Sequence, residues 1–310
     1  MLKAGDSYHT PVLFEEVMNF LAIERGGIYF DGTLGGGGHT LGILKRGGRV
    51  IATDRDEEAI RHATERLKSE KVSGYTLVRS NFKDVEEVLS QNGIEKLDGA
   101  LLDLGISSHQ IDEPQRGFSY RYDGKLDMRM DERTQLTAEI VVNEYNEQEL
   151  SKILYEYGEE RFTRKIVDGI VKARKNKRIE TTLELAELIK RNTPESYHRQ
   201  GHPAKKTFQA LRIEVNGELE ELGETVERLC EKLKSGGRLA VITFHSLEDR
   251  IVKTAFKKLC TDCICDKSLP ICVCGHKASA KAVVKMRASE QEKELNKRVN
   301  SATLRVIEKL

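Results

Sequence analysis

The sequence predicts an α/β protein, with a mostly parallel, doubly wound sheet of the Rossmann-like kind and an inserted all-helical domain. Short apolar strands alternate with amphipathic helices over about the first hundred residues. About a hundred residues without a strand-like segment follow. An apolar strand from Arg238 to Phe244 then restores the first pattern. Strands separated by helices pair in parallel, because each crossover has to pass over the sheet before the next strand begins.

Four strand-like segments precede the helical stretch, and the fourth is almost entirely apolar, as a strand buried on both faces should be. These segments are Ile28–Asp31, Arg49–Asp54, Tyr75–Val78 and Leu97–Leu104. Helical periodicity from Glu57 to Glu70 and from Lys83 to Gln91 fills the gaps between strands. Residues 282–286 and 303–307 are predicted to be the closing strands.

These patterns predict three segments. Residues 1–115 form the first part of the core, and residues 116–212 form a helical insertion for substrate and RNA recognition. Residues 213–310 form the second part of the core, with a cysteine-rich loop at 260–276. The sequence shows no apolar run of membrane-spanning length and no signal-peptide core, so a cytoplasmic protein with reduced thiols and no membrane partner is expected.

The charge is segregated along the chain, although 51 basic and 50 acidic residues sum to only +1. From Arg161 to Arg178 there are eight basic residues against Asp168 alone, whereas residues 214–231 are strongly acidic. A basic lobe would neutralise RNA phosphates, and Lys205, Lys206 and Arg212 are the hypothesised RNA contacts. The alternative interpretation is an ordinary solvated helix face.

A glycine-rich loop follows the first strand, with four glycines at 35–38 after Asp31. Glycines there let the backbone approach a ligand, and Asp54, nineteen residues after Gly35, ends the second strand where an acid accepts hydrogen bonds from a ribose. The dinucleotide fingerprint fails at its third glycine, where Thr40 or Leu41 stands. Asp31 would repel a pyrophosphate but suits an ammonium group, so S-adenosylmethionine is favoured over NAD. A tight structural turn without a ligand is the alternative.

Several motifs together resemble the RsmH (also called MraW) family, in the order that the family shows. They are the segments 9–13 (HTPVL), 31–39 (DGTLGGGGH), 103–110 (DLGISSHQ), 116–120 (RGFSY), 126–131 (LDMRMD), 157–162 (YGEERF), 206–212 (KTFQALR) and 243–250 (TFHSLEDR). The tail departs from the pattern, because residues 296–301 read NKRVNS where the family usually has NPRARS.

The resemblance implies a class I methyltransferase core with a helical insertion. It also implies transfer of a methyl group from S-adenosylmethionine to N4 of a cytosine in the decoding region of bacterial 16S rRNA, with the small ribosomal subunit as partner. Position by position, it implies a cofactor pocket lined by Gly37, Gly38, His39, Asp54, Phe82, Asp103 and Gln110.

The catalytic residue is left open, with Asp103 and His245 as candidates for accepting the proton that the amine releases. His245 has an equally good structural interpretation as a residue that orders a strand–helix turn. Two other functions are considered: a nicotinamide-dependent oxidoreductase, and a non-catalytic RNA-binding module. The missing third glycine disfavours the first, and acids at strand ends disfavour the second. The oligomeric state is left open.

Four cysteines form two C-x-C pairs, Cys263 with Cys265 and Cys272 with Cys274. Four thiolates so close in sequence could hold a zinc ion tetrahedrally and stiffen the loop. Free thiols are the alternative, and the spacing favours neither. Any metal there is expected to be structural.

Overall fold

The computed structural model describes residues 11–199, 201–266, 271–295 and 297–310, which form two compact units. The first unit comprises Met1–Gly105 and Leu219–Leu310, and the second is Ile106–Glu218. The predicted insertion, 116–212, lies inside the second unit, whose boundaries are wider at both ends. His9 and Thr10 of the first motif lie outside the described residues.

The first unit contains a seven-stranded sheet with the order β3-β2-β1-β4-β5-β7-β6. Its strands are β1 (Ile28–Asp31), β2 (Arg49–Asp54), β3 (Tyr75–Arg79), β4 (Leu97–Asp103), β5 (Leu233–Thr243), β6 (Ala280–Arg287) and β7 (Thr303–Lys309). The pairs from β3 to β5 are parallel, whereas β7 is antiparallel to both β5 and β6. The predicted fold class, α/β with a mostly parallel sheet, is confirmed.

Helices occur in both units. In chain order they are α1 (Phe14–Phe20), α2 (Gly38–Lys45), α3 (Glu57–Ser69), α4 (Val85–Gln91), α5 (Ser108–Asp112), α6 (Ala138–Glu144), α7 (Glu147–Glu156), α8 (Thr163–Arg174), α9 (Thr182–Arg191), α10 (Glu195–His198), α11 (Lys205–Asn216), α12 (Leu222–Lys232), α13 (Ser246–Leu259) and α14 (Glu290–Leu295). Among the described residues, none of the helices combines the length and the apolar composition needed to cross a membrane.

Alternating side chains of the strands build two hydrophobic cores, one on each face of the sheet. Leu101 of β4 packs into a core with α1, α2 and α3, whereas its neighbours Ala100 and Leu102 pack into a core with α4, α12 and α13. Both faces are therefore covered, which explains why β4 is apolar at nearly every position. This arrangement leaves the ends of the strands as the places where polar side chains can gather.

The second unit has a hydrophobic core of its own, to which α6, α7, α8, α9 and α11 contribute. The sequence has helical periodicity between residues 136 and 192, and this range corresponds to α6 to α9. Two further helices, α10 and α11, follow it. Within this unit, the Arg212 guanidinium forms two hydrogen bonds of 2.8 Å with the carboxylate of Glu218.

Strand β5 begins at Leu233, five residues before the predicted start at Arg238. Its pairing with β4 shifts register between Leu97 and Gly99, and Gly236 has a φ of +83°. A glycine adopts this left-handed conformation without steric cost, so the chain bulges there and continues as a strand. Gly236 and Gly237 therefore lie within β5, where they interrupt its pairing with β4, and not in a turn before the strand.

Candidate active site

Three parallel strands of the first unit, β1, β2 and β4, end in Asp31, Asp54 and Asp103. The carboxyl ends of parallel strands share one edge of a sheet, and ligands of open α/β sheets bind at that edge. The strand order places β1 between β2 and β4. The three carboxylates therefore belong to one site, in which Asp31 is central.

Asp31 is buried, with 1% of its surface exposed, and its carboxylate has two hydrogen-bond donors. The Thr40 hydroxyl donates to Oδ2 over 2.7 Å, and the Thr33 backbone N–H donates to Oδ1 over 3.1 Å. Burial nevertheless raises the pKa of Asp31 to about 6, against the opposing effect of these two donors. The site therefore disfavours negative charge on Asp31 unless a cation lies beside it.

Asp54 holds the glycine-rich loop against the end of β2. Its Oδ2 accepts a hydrogen bond from the Gly35 backbone N–H over 2.8 Å, and its Oδ1 accepts one from the Asp56 N–H over 2.9 Å. Burial raises the pKa of Asp54, while these two N–H groups lower it. Each carboxylate oxygen has a second lone pair, so Asp54 can still accept hydrogen bonds from a ligand diol.

The loop itself depends on glycine at specific positions. Gly35 and Gly37 have φ values of +48° and +71°, in the left-handed region that favours glycine. At Gly38, the first residue of α2, an added Cβ would lie 2.3 Å from Cγ of Pro11. The predicted cofactor residues Gly37 and Gly38 are thus required by backbone geometry and by packing, and they follow Gly35, whose N–H contacts Asp54.

Asp103 lies beside His39 and has an oxygen that is left unpartnered. The distance from His39 Nδ1 to Asp103 Oδ2 is 3.7 Å, and His39 Nε2 lies 3.2 Å from the Val12 carbonyl, to which it donates. Asp103 Oδ1 is buried and has no hydrogen-bond partner among the described residues. Burial, followed by the charges of Asp31 and Glu248, raises the pKa of Asp103 well above its usual value. A buried, unpartnered carboxylate oxygen is costly, and a ligand that donates a proton or carries positive charge would relieve that cost.

The other two predicted cofactor residues have different surroundings. Phe82 begins a short 3-10 turn, Phe82–Asp84, after β3, and it packs against the hydrophobic core. Gln110 lies in the second unit, where its side-chain Oε1 accepts a hydrogen bond from the Ser107 backbone N–H at the start of α5. Gln110 therefore has a capping role in the structure, and a ligand contact by either residue stays a prediction.

His245, the second catalytic candidate, is the N-cap of α13. Its Nδ1 accepts from the Glu248 backbone N–H over 3.4 Å, and Glu248 in turn accepts from the N–H groups of Phe244 and His245. The His245 Nε2 atom lies 3.1 Å from Glu248 Oε1. Reciprocal hydrogen bonds of this kind order the beginning of a helix. The geometry therefore supports the structural interpretation of His245.

The three predicted RNA-binding residues differ in what their side chains contact. Lys205 is exposed. The Lys206 ammonium donates to the Glu159 carbonyl over 2.7 Å, and the Arg212 guanidinium is paired with Glu218. The side chains of Arg212 and Glu218 are only 13% and 6% exposed, so Arg212 stabilises the second unit and does not extend into solvent.

Helix α8 carries basic side chains that are more accessible. Arg164, Lys165 and Lys172 are exposed, and within the described parts of the chain they form no ion pair. By contrast, Lys177 and Arg178, just beyond the helix, pair with Glu184 and with Glu139 and Glu144. The basic run identified in the sequence therefore divides into an exposed helical face and a set of structural ion pairs.

Three further residues contribute to the site without having been predicted. The Thr33 hydroxyl accepts from the Asp103 backbone N–H over 2.6 Å, Thr40 donates to Asp31, and Glu248 raises the pKa of Asp103 by its charge. Thr33 and Thr40 lie within the glycine-rich segment, so their position in that segment was an available signal. Glu248 carried no such signal, because the fold alone brings it close to Asp103.

The antiparallel β7 between β5 and β6 separates this sheet from a dinucleotide-binding fold, which is built from two parallel halves. With acids at the ends of β1, β2 and β4, the arrangement is that of a class I methyltransferase. The family model of the MraW methylase family matches residues 6–310. The chain belongs to that family.

Two relatives illustrate how similar the family's members are to this chain. A protein of Carboxydothermus hydrogenoformans, named ribosomal RNA small subunit methyltransferase H, is 50% identical over 305 residues, covering 97% of this chain and 98% of the relative. A protein of the same name from Acetivibrio thermocellus is 52% identical over 309 residues, covering 97% and 99%. A solved methyltransferase from Streptococcus mutans, in complex with SAH, has a TM-score of 0.45 at 14% identity, covering 97% and 100%.

Proposed function

We propose that the protein transfers a methyl group from S-adenosylmethionine to the exocyclic N4 of a cytosine in the decoding region of 16S rRNA, acting in the cytoplasm on the small ribosomal subunit. The names of the relatives support ribosomal RNA of the small subunit as substrate. The sequence motifs of the family support the base and the position. The observation that carries the proposal is the set of three carboxylates at one sheet edge, all with pKa values raised chiefly by burial and one with an unpartnered oxygen.

A cationic methyl donor fits this site. S-adenosylmethionine supplies an electrophilic methyl group on a positively charged sulfur, and it also carries an ammonium group. Asp31 and Asp103 lie where positive charge would stabilise their ionised forms. Asp54 keeps lone pairs that can accept hydrogen bonds from a ribose, and the glycine-rich loop bound to it is the kind of segment that lets a backbone approach a ligand. A dinucleotide would instead bring pyrophosphate charge towards the same acids, which disfavours NAD.

The substrate amine needs a hydrogen-bond acceptor, because the N4 lone pair of cytosine is delocalised into the ring. An acceptor that draws one N4–H out of the plane restores nucleophilic character to the nitrogen. Asp103 has Oδ2 near His39 and the unpartnered Oδ1 on its other side. We assign Oδ1 as this acceptor, with Oδ2 and His39 fixing the orientation of the carboxylate. Positioning and electrostatics then supply most of the acceleration of an in-line methyl transfer.

The RNA is proposed to contact the exposed basic face of α8, formed by Arg164, Lys165 and Lys172, together with Lys205. These side chains can neutralise phosphates without giving up an internal ion pair. Lys206 and Arg212 are less suitable, because their charged groups already have partners in the second unit. A cytosine within folded RNA has to be unpaired or extruded to reach the acids.

The test is to incubate the enzyme with labelled S-adenosylmethionine and unmodified small subunits, and then to map the modified base. We expect one N4-methylated cytosine in the decoding region. A methyl group on another base, or on another atom of cytosine, would overturn the proposal. The Asp103→Asn variant tests the role of the carboxylate. It should still bind S-adenosylhomocysteine in calorimetry, but its methylation rate should fall by at least about a hundredfold. If Asp103→Asn no longer bound S-adenosylhomocysteine, the role of Asp103 would be to bind the cofactor and not to accept the N4 proton.

A further inference from the structure

Four cysteine sulfurs lie together at the tip of the segment that joins α13 to β6, a segment that takes no part in the proposed methyl transfer. Cys272 Sγ lies 3.5 Å from Cys263 Sγ, 4.0 Å from Cys265 Sγ and 3.6 Å from Cys274 Sγ. The sulfurs of Cys263 and Cys274 are 3.9 Å apart. All four sulfurs lie within 4.8 Å of one another, and none forms a disulfide. We call this group the cysteine quartet.

The spacing of the quartet is that of ligands around one small metal ion. Four sulfurs at about 2.3 Å from a tetrahedral zinc ion are separated by about 3.8 Å. The four sulfur–sulfur distances given above lie on either side of this value. A disulfide would need sulfurs at about 2.05 Å, so the quartet is not arranged as two such bonds.

The described residues of the segment around the quartet form no hydrophobic core that could hold this arrangement. Ile264, Ile271 and Val273 alternate with the cysteines and are 51%, 75% and 76% exposed. The base of the segment is fixed, because the Ser279 N–H donates to the Leu259 carbonyl over 2.8 Å. Near the quartet, the four sulfurs lie close to one another, while these apolar side chains are exposed to solvent. Without buried apolar contacts, such a tip needs another source of stability, and a coordinated metal is the usual one in small structural motifs.

We propose that the cysteine quartet binds one zinc ion, which holds the tip of the α13–β6 segment in a single conformation. Four S–H bonds break and four Zn–S bonds form, up to four protons pass to solvent, and no atom is oxidised or reduced. Four protein ligands fill the tetrahedral coordination sphere, which leaves no open position for a substrate or a reactive water. The zinc ion is therefore structural, and the methyl transfer does not depend on chemistry at the metal.

The Val273 backbone N–H donates to Cys265 Sγ over 3.4 Å, as expected for a sulfur that carries negative charge. Cys260, only three residues before the quartet, lies outside it and packs partly against the hydrophobic core. The chain thus supplies a cysteine in the same region that should have no role in metal binding.

The experiment measures metal in the full chain, purified without chelators from cells grown with zinc, iron and cobalt salts in separate cultures. We expect one equivalent of zinc per chain, and in the cobalt-grown protein the visible absorption of tetrahedral cobalt–thiolate coordination. Cys272→Ser should lose the metal, whereas the matched control Cys260→Ser should retain it. Titration with a mercurial reagent should release the zinc ion as four additional sulfurs are converted to mercury thiolates.

Three results would overturn the proposal: substoichiometric metal in the wild type, a single bound iron in place of zinc, or disulfides among the four cysteines by mass spectrometry of the native protein. Because the wild type alone yields the metal content and the cobalt spectrum, a variant that fails to fold leaves the test intact. Methylation activity is not a readout, so failure here would not count against the proposed function.

Discussion

Burial and the proposed function have opposite effects on the protonation of Asp31. Burial favours the neutral acid, whereas binding of a cationic cofactor would favour the carboxylate. The carboxylate is buried and has only neutral donors, Thr40 and Thr33, and its pKa is raised to about 6. The unfolded chain would titrate the same group near pH 4. The native state therefore binds the proton of Asp31 more tightly than the unfolded state does.

The first prediction concerns the stability of the ligand-free protein. Because the native state holds this proton more tightly, the stabilisation from Asp31 is present below about pH 4 and is lost as the pH rises through about 6. A shift of about two units corresponds to on the order of 3 kcal/mol. Chemical denaturation from about pH 4 to 7 should show this loss in the wild type but not in Asp31→Asn.

The difference between the two stability curves isolates Asp31 from carboxyls that act in the opposite direction. Asp249, for example, has its pKa lowered by a bidentate contact with Arg305, and it stabilises the native state as the pH rises. Parallel curves for wild type and Asp31→Asn would contradict the prediction. Calorimetry with S-adenosylhomocysteine extends the test, since its ammonium group should bind more tightly as Asp31 ionises.

The ion pair between Arg212 and Glu218 is a contact between single residues that could not be predicted from the sequence. Both residues read as ordinary surface charges, six positions apart. Helix α11 ends at Asn216, and the next residue, Gly217, has a φ of +56°. This left-handed residue turns the chain so that Glu218 comes back towards Arg212. The end of the helix, and not the identity of either residue, decides that the guanidinium is occupied.

At the scale of the elements, α13 begins with reciprocal hydrogen bonds between His245 and Glu248. Glu248 is 2% exposed, and its side chain accepts from two backbone N–H groups at the helix start. The same residue also raises the pKa of Asp103 by its charge. The beginning of α13 thus contributes to the electrostatics of the site without a direct role in proton transfer.

The second prediction tests whether His245 acts as a helix N-cap or as a proton acceptor in catalysis. Asparagine also caps helices, so His245→Asn should keep both the thermal midpoint and the methylation rate close to wild type. His245→Ala removes the cap and should cost about 1 kcal/mol in the free energy of unfolding. If His245→Asn were fully folded but lost about a hundredfold in rate across the pH range, the imidazole would be a proton carrier after all.

Most elements of the core could be predicted, because each strand that is buried on both faces has an apolar sequence of its own. The Ser235–Gly237 part of β5 could not, since glycines signal a turn and only the pairing with β4 shows a bulge. The cysteine quartet was half predictable: the two C-x-C pairs were visible, but the fold had to bring them within 4.8 Å. The acids at strand ends were predictable because parallel strands align their carboxyl ends.

On the scale of the whole molecule, the net charge of +1 hides a separation that has functional meaning. Of the eight basic residues between 161 and 178, Lys177 and Arg178 form ion pairs with Glu184 and with Glu139 and Glu144. The other cations of that run are mostly exposed, and Arg164, Lys165 and Lys172 among them lie on α8, whereas residues 214–231 are strongly acidic. Attraction for RNA phosphates should therefore come from the local charge of the exposed α8 face, and not from the net charge of the chain.

The third prediction tests that localisation with two double variants of equal charge change. Lys165→Glu with Lys172→Glu alters α8, and Lys253→Glu with Lys257→Glu alters exposed lysines of α13. The α8 variant should weaken binding to small-subunit RNA about tenfold or more and reduce the salt slope by about 1.4, or roughly 0.7 for each lost contact. The α13 variant should bind like wild type. Equal weakening in both would show that only total charge matters.

The two-segment construction of the first unit has a consequence for how the chain is made. Strands β4 and β5 are neighbours in the sheet, with Leu101 opposite Ala240, although the whole second unit separates them in the chain. At roughly 5–20 residues per second, β5 leaves the ribosome some seven to thirty seconds after β4. During that interval the apolar strand β4 has one edge without a hydrogen-bonding partner, and exposed strand edges of this kind promote aggregation. Chaperone binding to nascent chains should therefore peak while the helical insertion is being synthesised.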